Sequence, residues 1–496
     1  MTPEDIARRY SIRPGYELVD YSAVALPLYR LTVDAVTMAH REIPPIKTFV
    51  MRSIAAGLGE LHEVAGFLGL DEATVDGTFS QLQDDGYAAL SASGSTAVLL
   101  DRGREVLAKE RESSPQDEML VFLYDRLLRK PVRLGAEQLL LPASIDPQRT
   151  IEIRAYPADG PDITDLSLPD ILQVLEQQAG GRASFGRDLL RFKRIVRRVR
   201  VYRPAVGLVY KKTRGPDVQV TFIVDDARHE GLEHAFAECG GPKKMGFLKS
   251  IDESVAAGEL RRQLGSEVHR LLPNAAALEE KRVKASLARI KHQSALARAE
   301  RRKGMGASDA IEAKEVISIT SAALAQAEEE LKAFPARPIL PFELAELLDE
   351  AIELSQTFFA VSSRDAGLHV VDLFFLERLE VALQRGVETV ISLSEPGIGS
   401  GPVLELERLR RRHSNLFLIE GRRSASYHLV SDHRFAAVCN RPLLCNQDRV
   451  RMYHHVVGYL LQTPELVAAF TRRLEIRTGK LPDRPRERSH RIERQV

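Results

Sequence analysis

Residues 421–444 read GRRSASYHLVSDHRFAAVCNRPLL, and they decide how the C-terminal part of the chain is interpreted. Polar and apolar side chains alternate up to a two-residue polar turn at Asp432 and His433, and residues 435–438 form a second apolar run. Two short strand-like runs joined by a polar turn are typical of a β-hairpin. The pattern predicts a hairpin at the edge of a buried sheet.

The residues around this hairpin are equally regular. Apolar runs predict strands at 357–363, 387–393 and 415–419, and amphipathic spacing predicts helices at 368–385, 402–413 and 463–477. The order is strand, helix, strand, helix, strand, hairpin and closing helix. It predicts an α/β lobe over residues 335–480.

This order of elements, with VALQRGVETVISL (381–393) and SDHRFAAV (431–438), resembles the phospholipase D-like phosphodiesterase superfamily. The catalytic strand of that family reads His-x-Lys-x-x-x-x-Asp. Alignment on Asp432 places Ala425 at the histidine position and Tyr427 at the lysine position, so only the aspartate is kept. Because lobes of the family commonly pair to complete one site, the resemblance also implies a homodimer or a partner chain.

The candidate catalytic residues that remain are His428 and Asp432. The family's nucleophilic step needs a histidine, and stabilising the phosphoryl charge needs a placed cation. His428 directly follows Tyr427, and successive strand side chains alternate faces, so His428 should face away from the side that the family uses. None of the thirteen histidines has a lysine two positions later. We expect no family-type catalysis by this chain alone, and no cofactor.

Length and composition indicate a multidomain globular protein. A chain of 496 residues is too long for one core and predicts about three units. A hydrophobic content of 44% and a net charge of +1 are ordinary for a soluble protein. Cys239, Cys439 and Cys445 form neither a disulfide framework nor a CxxC metal motif. The apolar stretch at 21–39 is interrupted by charges, so we expect a cytoplasmic protein without a membrane span. We expect residues 1–45 to be an N-terminal extension.

Residues 46–115 resemble bacterial winged helix-turn-helix domains. Three predicted helices (46–57, 60–69 and 71–86) precede a small hairpin at 87–100 and a returning helix. In that fold the third helix enters the major groove of DNA. Here the third helix carries five acidic residues between Asp71 and Asp85 and no lysine or arginine, so phosphate would repel it. We expect it to have a protein-contact or structural role, with DNA reading as the weaker alternative.

Residues 116–272 predict an α+β domain with a basic segment, a helix at 168–178 and a β-hairpin at 205–225. Nine basic residues and one acidic residue lie between positions 182 and 203. Such a strand could follow a phosphate backbone, although a solvated or salt-bridged face is equally compatible with the pattern. The candidate nucleic-acid-binding residues are Arg191, Lys193, Arg194, Arg197, Arg198, Arg200, Lys211 and Lys212. The motif HEGLEH (229–234) has Glu233 where a metalloprotease has its second histidine, so we predict no metal site.

Residues 273–334 predict an antiparallel helical hairpin, inserted before the C-terminal lobe, with helices at 274–303 and 309–334. Nine basic residues lie between Lys281 and Lys303, which favours a solvated arm or, alternatively, contact with nucleic acid or a partner. Residues 481–496 are basic and aperiodic and should be disordered. The predicted seam comprises Val283, Leu287, Ile290 and Ala297 on the first helix and Ile317, Thr320, Leu324, Ala327 and Leu331 on the second.

Three functions from different classes fit the sequence. The first is a non-catalytic nucleic-acid-associated scaffold, built on a degenerate phospholipase D-like lobe and holding DNA or RNA with its basic segments. The second is a divergent phosphodiesterase or nuclease using His428 and Asp432, or residues from a partner. The third is a protein-only adaptor acting through the acidic winged helix and the coiled coil. The resemblance also suggests a bacterial DNA-processing or anti-phage defence component.

Overall fold

A computed structural model of the chain shows a mixed α/β protein with several sheets. No helix within the described segments is long and apolar enough to span a bilayer. The chain forms two compact units: a first unit of residues 1–26, 143–154 and 204–496, and a second unit of residues 27–142 and 155–203. The structure describes residues 2–91, 96–109, 111–146, 150–181, 185, 187–213, 215, 217–247, 254–301, 307–397, 400–421, 424, 426–432, 434–445 and 455–474.

The elements of the N-terminal half alternate between long strands and short helices. In chain order they are α1 (Pro3–Arg9), β1 (Tyr16–Glu42), α2 (Pro45–Ala55), α3 (Leu61–Leu68), α4 (Glu72–Asp84), β2 (Ala88–Leu90), β3 (Ala97–Leu99), α5 (Asp101–Lys109), β4 (Arg111–Asp125), β5 (Lys130–Val132), β6 (Thr150–Glu152), α6 (Leu168–Gln178), β7 (Arg187–Lys212), β8 (Val218–Val224), β9 (Ala227–Arg228), α7 (Glu230–Glu238) and α8 (Gly241–Lys244).

The C-terminal half contains the longest helices and a second sheet. Its elements are α9 (Ser254–Leu271), α10 (Ala275–Arg301), α11 (Ala307–Lys332), β10 (Ala336–Pro338), α12 (Glu343–Leu354), β11 (Phe358–Ser363), α13 (Leu373–Gln384), β12 (Glu388–Leu393), α14 (Gly401–Arg412), β13 (Leu416–Glu420), β14 (Tyr427–Ser431), β15 (Phe435–Cys439), β16 (Gly458–Leu461) and α15 (Pro464–Arg473).

The second unit is built on an antiparallel sheet in the order β5-β4-β1-β7. β1 and β4 pair from Leu28 opposite Asp125 to Glu42 opposite Arg111. One face of the sheet packs on α6, which confirms the helix predicted at 168–178. Residues 1–45, expected to be an extension, contain α1 and the 27-residue strand β1, which is largely buried over residues 18–29 and alternates between buried and more exposed side chains over 30–38.

In the same unit, α2, α3 and α4 are followed by the β2-β3 hairpin and α5, the element order predicted for residues 46–110. These elements share a hydrophobic core that includes Val50, Val64, Phe79 and Tyr87. Asp71 caps α4 by accepting a hydrogen bond from the backbone N–H of Thr74 at 2.7 Å. The sequence pattern thus predicted these elements to within a few residues.

In the first unit, the C-terminal sheet has the order β10-β16-β15-β14-β11-β12-β13. β11, β12 and β13 are parallel, with α13 and α14 as the connecting helices, as the sequence predicted. The predicted position of the β14-β15 hairpin at the sheet edge was wrong. β14 lies between β11 and β15, and β15 is covered on its other side by β16, a four-residue strand too short to stand out in the sequence.

Helices cover both faces of this sheet. On one face Phe359, Val361 and Leu429 pack in the cluster that contains the buried residues of α12, α13 and α14. On the other face Val430 and Val438 pack with apolar residues of α9 and α15. A sheet buried on both sides explains why its strands read as continuous apolar runs.

The two helices predicted at 274–303 and 309–334 are α10 and α11, and they pair with each other. The predicted seam on α11 agrees with the structure, since Ala327 is 1% exposed and Ile317, Thr320, Leu324 and Leu331 are half-buried. The predicted seam on α10 was correct only in part, because Val283 and Ile290 are half-buried, whereas Leu287 is 51% exposed and Ala297 is exposed. Leu278, Ala285 and Ala295 are buried instead.

Candidate functional site

Asp432 ties the β14-β15 hairpin to the chain between α12 and β11. Its carboxylate accepts hydrogen bonds from the backbone N–H groups of Gln356, Thr357 and Phe358 at 2.8, 2.9 and 2.7 Å, and from Thr357 Oγ1 at 2.8 Å. Asp432 itself has φ +46°, a left-handed conformation that aspartate tolerates. Partial burial works against ionisation, but the hydrogen bonds outweigh it and lower the pKa of the carboxyl. Both oxygens are therefore engaged within the fold.

His428 makes its polar contacts with one serine. Ser362 Oγ lies 2.9 Å from His428 Nδ1 and also accepts a hydrogen bond from the His428 backbone N–H at 2.8 Å. Burial lowers the pKa of His428 to about 4, so the imidazole is neutral at pH 7. A histidine with so low a pKa is a weak base and a weak nucleophile.

His428 and Tyr427 point to opposite faces of the sheet, as the sequence predicted. Tyr427 and Leu429 belong to the core cluster beneath α12 and α13, and Val430 belongs to the cluster beneath α9 and α15. Alternation therefore directs His428 to the α9 side. Ala425 lies outside the described residues. The structure does not bring His428 and Asp432 together as partners, because each is bonded to a different part of β11 and its preceding loop.

Six of the candidate nucleic-acid-binding residues lie on the part of β7 that belongs to the second unit, and all six are exposed. Arg198 and Arg200 are exposed, whereas Val199 is half-buried and Val201 is buried, which confirms the predicted alternation. Towards the N-terminal end of the strand the half-buried residues Leu189, Phe192 and Ile195 recur at every third position.

Half of the predicted cations on this segment are paired within the unit. Lys193 Nζ lies 2.5 Å from Asp117, and Arg194 Nε lies 3.4 Å from Asp34. Arg198 lies 3.8 Å from Asp162 and also donates to the carbonyl oxygen of Pro161 at 3.0 Å. The salt-bridged interpretation of the segment is therefore correct for these three residues.

The other half is not paired. Arg191, Arg197 and Arg200 are exposed and make no ion pair or hydrogen bond with the part of the chain that the structure describes. Lys211 and Lys212 belong to the first unit, where Lys212 pairs with Asp217 at 3.3 Å and Lys211 is half-buried. The eight sequence candidates thus reduce to three unpaired arginines on one strand.

The acidic residues of α4 remain on the surface. Glu72, Asp76 and Asp84 are exposed, Asp71 is the helix cap, and Asp85 pairs with Lys47 at 2.7 Å. The exposed surface of this helix is acidic and polar, which opposes contact with a phosphate backbone.

Side chains of the HEGLEH segment (229–234) form contacts within the fold. Glu233 accepts from Arg13 at 2.9 Å and pairs with Arg228 at 2.7 Å, and His229 Nδ1 accepts from the backbone N–H of Leu232. Among the described residues no group of three histidine, cysteine or acidic side chains is arranged for a metal ion.

Two contacts of the C-terminal hairpin were missed by sequence reasoning. Ser362 and Thr357 lie about seventy residues before their partners His428 and Asp432. No spacing rule connects such positions, because the pairing exists only once β11 and β14 are adjacent in the sheet.

No protein-family model matches this chain, and no curated protein matches it. Among solved structures it is similar to NUC from Salmonella typhimurium, a phospholipase D family member, with 15% identity over 26% of this chain and 80% of that chain, at a TM-score of 0.19. It is also similar to TrmBL2, an archaeal chromatin protein described as showing a novel mode of DNA binding, with 17% identity over 34% of this chain and 67% of that chain, at a TM-score of 0.21. Both TM-scores are low, and neither likeness carries weight for function.

Proposed function

We propose that this chain is a non-catalytic nucleic-acid-binding protein whose contact surface is the basic part of β7. The observation that carries the proposal is the set of exposed arginines without an intramolecular partner, Arg191, Arg197 and Arg200. Cations that are not neutralised by the fold remain available for phosphate oxygens, and guanidinium groups suit phosphate geometry.

In this proposal the C-terminal part of the chain is a phospholipase D-like lobe that supports nucleic-acid binding and does not cleave phosphodiester bonds. The parallel β11, β12 and β13, followed by the β14-β15 hairpin, support this interpretation of residues 335–480. Tyr427 stands where the family has its lysine, His428 is desolvated and faces the opposite side, and Asp432 is occupied by backbone amides. At the described motif positions, these three features place no nucleophile beside a cation.

The winged helix-like segment at 46–115 has a different part in the proposal. The exposed acids Glu72, Asp76 and Asp84 on α4 would be repelled by the duplex, so we assign this segment to protein contact. Pairing of the lobes into a homodimer remains part of the proposal as an implication of the family resemblance.

Salt-dependent binding to a fluorescent duplex and to a single strand tests the proposal. The Arg191→Glu/Arg197→Glu/Arg200→Glu variant should lose about a hundredfold or more in affinity, and its plot of log affinity against log salt should be less steep by about 2–3 units. The matched control is Arg408→Glu/Arg410→Glu/Arg411→Glu, which makes the same charge change on exposed residues of α14 in the other unit.

Equal losses in the two variants would mean that only overall charge matters, and unchanged affinity in the β7 variant would remove the proposed surface. Absence of binding by the wild-type protein at moderate salt would instead favour a protein-only adaptor.

A further inference from the structure

A cavity of about 240 Å³ lies in the first unit at the base of the helical hairpin. Its walls come from α1, α10, α11, β10 and α12 and from residues that follow α1 and β10. Leu331, Leu340, Phe342 and Leu347 line one part of it. Five cations and four carboxylates line the rest: Arg8, Arg282, Arg289, Lys332 and Arg337, with Glu328, Glu343, Glu346 and Glu350.

Most of these charges are already matched. Arg337 forms a two-point ion pair with Glu343, with both contacts at 2.9 Å. Arg289 pairs with Glu328 and lies 3.7 Å from Glu346, which also contacts Arg8. Lys332 pairs with Glu329 at 3.4 Å, outside the cavity lining.

Arg282 is the exception among the cations of the cavity. Its Nη2 donates to the carbonyl oxygen of Pro338 at 2.7 Å, and no carboxylate in the described part of the chain lies within ion-pair distance. Burial lowers the pKa of Arg282, with Arg337 adding to the effect and Glu343 opposing it. A buried guanidinium without a counter-ion is costly, so an anion that entered the cavity would be stabilised there.

Two guanidinium groups meet at this point. Arg337 Nη1 lies 3.3 Å from the same Pro338 oxygen that Arg282 contacts, so the two cations are neighbours, and Glu343 bonds to Arg337. Arg282 Nε and Arg337 Nε are buried and have no hydrogen-bond partner among the described residues.

We infer that the cavity is a binding site for a small phosphate-bearing molecule, with its phosphate against Arg282 and Arg337. Phosphate offers oxygens in several directions, which suits donors that approach from α10 and from β10, whereas a carboxylate offers two oxygens in one plane. The leucines and Phe342 offer an apolar wall for the organic part of the molecule, as a mononucleotide would require. Because residues of both α10 and α12 line the cavity, the bound ligand would also connect the hairpin to the lobe.

Thermal denaturation and calorimetric titration of the full chain with inorganic phosphate and with AMP test the inference. Sodium chloride at matched ionic strength and sodium acetate serve as comparisons for salt and for carboxylate. Phosphate should raise the thermal midpoint by a few degrees at about a hundred times its Kd, and further with the logarithm of its concentration. In the calorimetric titration its binding should saturate, and AMP should bind more tightly than phosphate.

The Arg282→Gln variant should bind phosphate about ten- to a hundredfold more weakly, since a charge-assisted contact is lost. Without ligand it should be at least as stable as the wild type, because an unpaired buried charge has been removed. Arg298→Gln changes an exposed arginine of the same helix and should bind as the wild type does. Ala285→Leu should block the site by filling it, because Ala285 lines the cavity.

A wild-type protein that shows no saturable response to phosphate or AMP beyond that of chloride would overturn the inference. The same would follow if Arg282→Gln or Ala285→Leu bound as tightly as Arg298→Gln. If acetate bound as tightly as phosphate, the phosphate assignment would be wrong.

Discussion

Replacing Asp432 separates a structural role from a catalytic one. Asp432→Ala removes four hydrogen bonds to a carboxylate, of which the one from the Phe358 N–H is partly buried and the other three are exposed. Hydrogen bonds to charged groups contribute about 1.5–3 kcal/mol when protected, and exposed amides regain water, so we count about 1.5 kcal/mol for Phe358 and about 1.5 kcal/mol for the rest together. Alanine at φ +46° adds about 1 kcal/mol. The expected loss is about 4 kcal/mol.

Hydrogen–deuterium exchange of peptides covering β11 and the β14-β15 hairpin, with calorimetry of the full chain, measures this loss. The matched variant Asp432→Asn keeps one acceptor oxygen and tolerates the left-handed conformation, so it should lose only about 1–2 kcal/mol. Because the folded-state pKa of Asp432 is lowered, its stabilisation is present above the unfolded pKa of about 3.9 and is lost as pH falls through the folded value. Wild type and Asp432→Asn should therefore converge at low pH.

The structural role would be refuted if Asp432→Ala exchanged as slowly as the wild type in these peptides. The same conclusion would follow if calorimetry showed a loss below about 1 kcal/mol, since even one protected hydrogen bond to a carboxylate exceeds that value. In that case the aspartate would be free to act on a ligand, and the catalytic interpretation of the hairpin would regain support.

Two further predictions concern a buried histidine and the helical hairpin. Since the folded-state pKa of His428 is lowered to about 4, the unfolded chain binds the extra proton first, so thermal stability should fall as pH decreases from about 6.5 to 4. His428→Asn should show a smaller fall over that range, and an identical pH profile would contradict the burial argument. In α10, Ala295→Lys should destabilise the hairpin by about 2–3 kcal/mol because Ala295 is 7% exposed, whereas Leu296→Lys should change stability by less than about 0.5 kcal/mol because Leu296 is 45% exposed. Urea denaturation followed by circular dichroism compares the pair, and equal losses would contradict the burial of Ala295 in the seam.

The parts of the fold that could be predicted from sequence are those with local periodicity. β11, β12 and β13 are short apolar runs separated by amphipathic helices, so each element can be predicted from a window of about a dozen residues. β1 could not be predicted in this way, because Arg30 and Asp34 lie within a long apolar run whose partner strand β4 begins at residue 111.

The seam of the helical hairpin shows a different limit. Sequence reasoning selected Val283, Leu287, Ile290 and Ala297 on α10 from their three-to-four spacing. The structure leaves Leu287 and Ala297 exposed and buries Ala285 and Ala295, since small residues allow two helices to approach closely. The cavity at the base of the hairpin could not be predicted at all, because Arg8, Arg282 and Arg337 are brought together only by the tertiary fold.

A physical reason that does not involve catalysis explains why an aspartate stands at position 432. The turn after β14 needs a residue that tolerates a left-handed conformation, and three consecutive backbone N–H groups, Gln356 to Phe358, point at the same place. Aspartate meets both needs, since it adopts that conformation readily and its two oxygens accept all three bonds. Ser362 is a comparable structural partner for His428, on the face of the sheet opposite to Tyr427. The aspartate and histidine of this hairpin are therefore explained by contacts within the fold, whereas Arg191, Arg197 and Arg200 of β7 and the half-buried Arg282 are the cations for which we propose ligands.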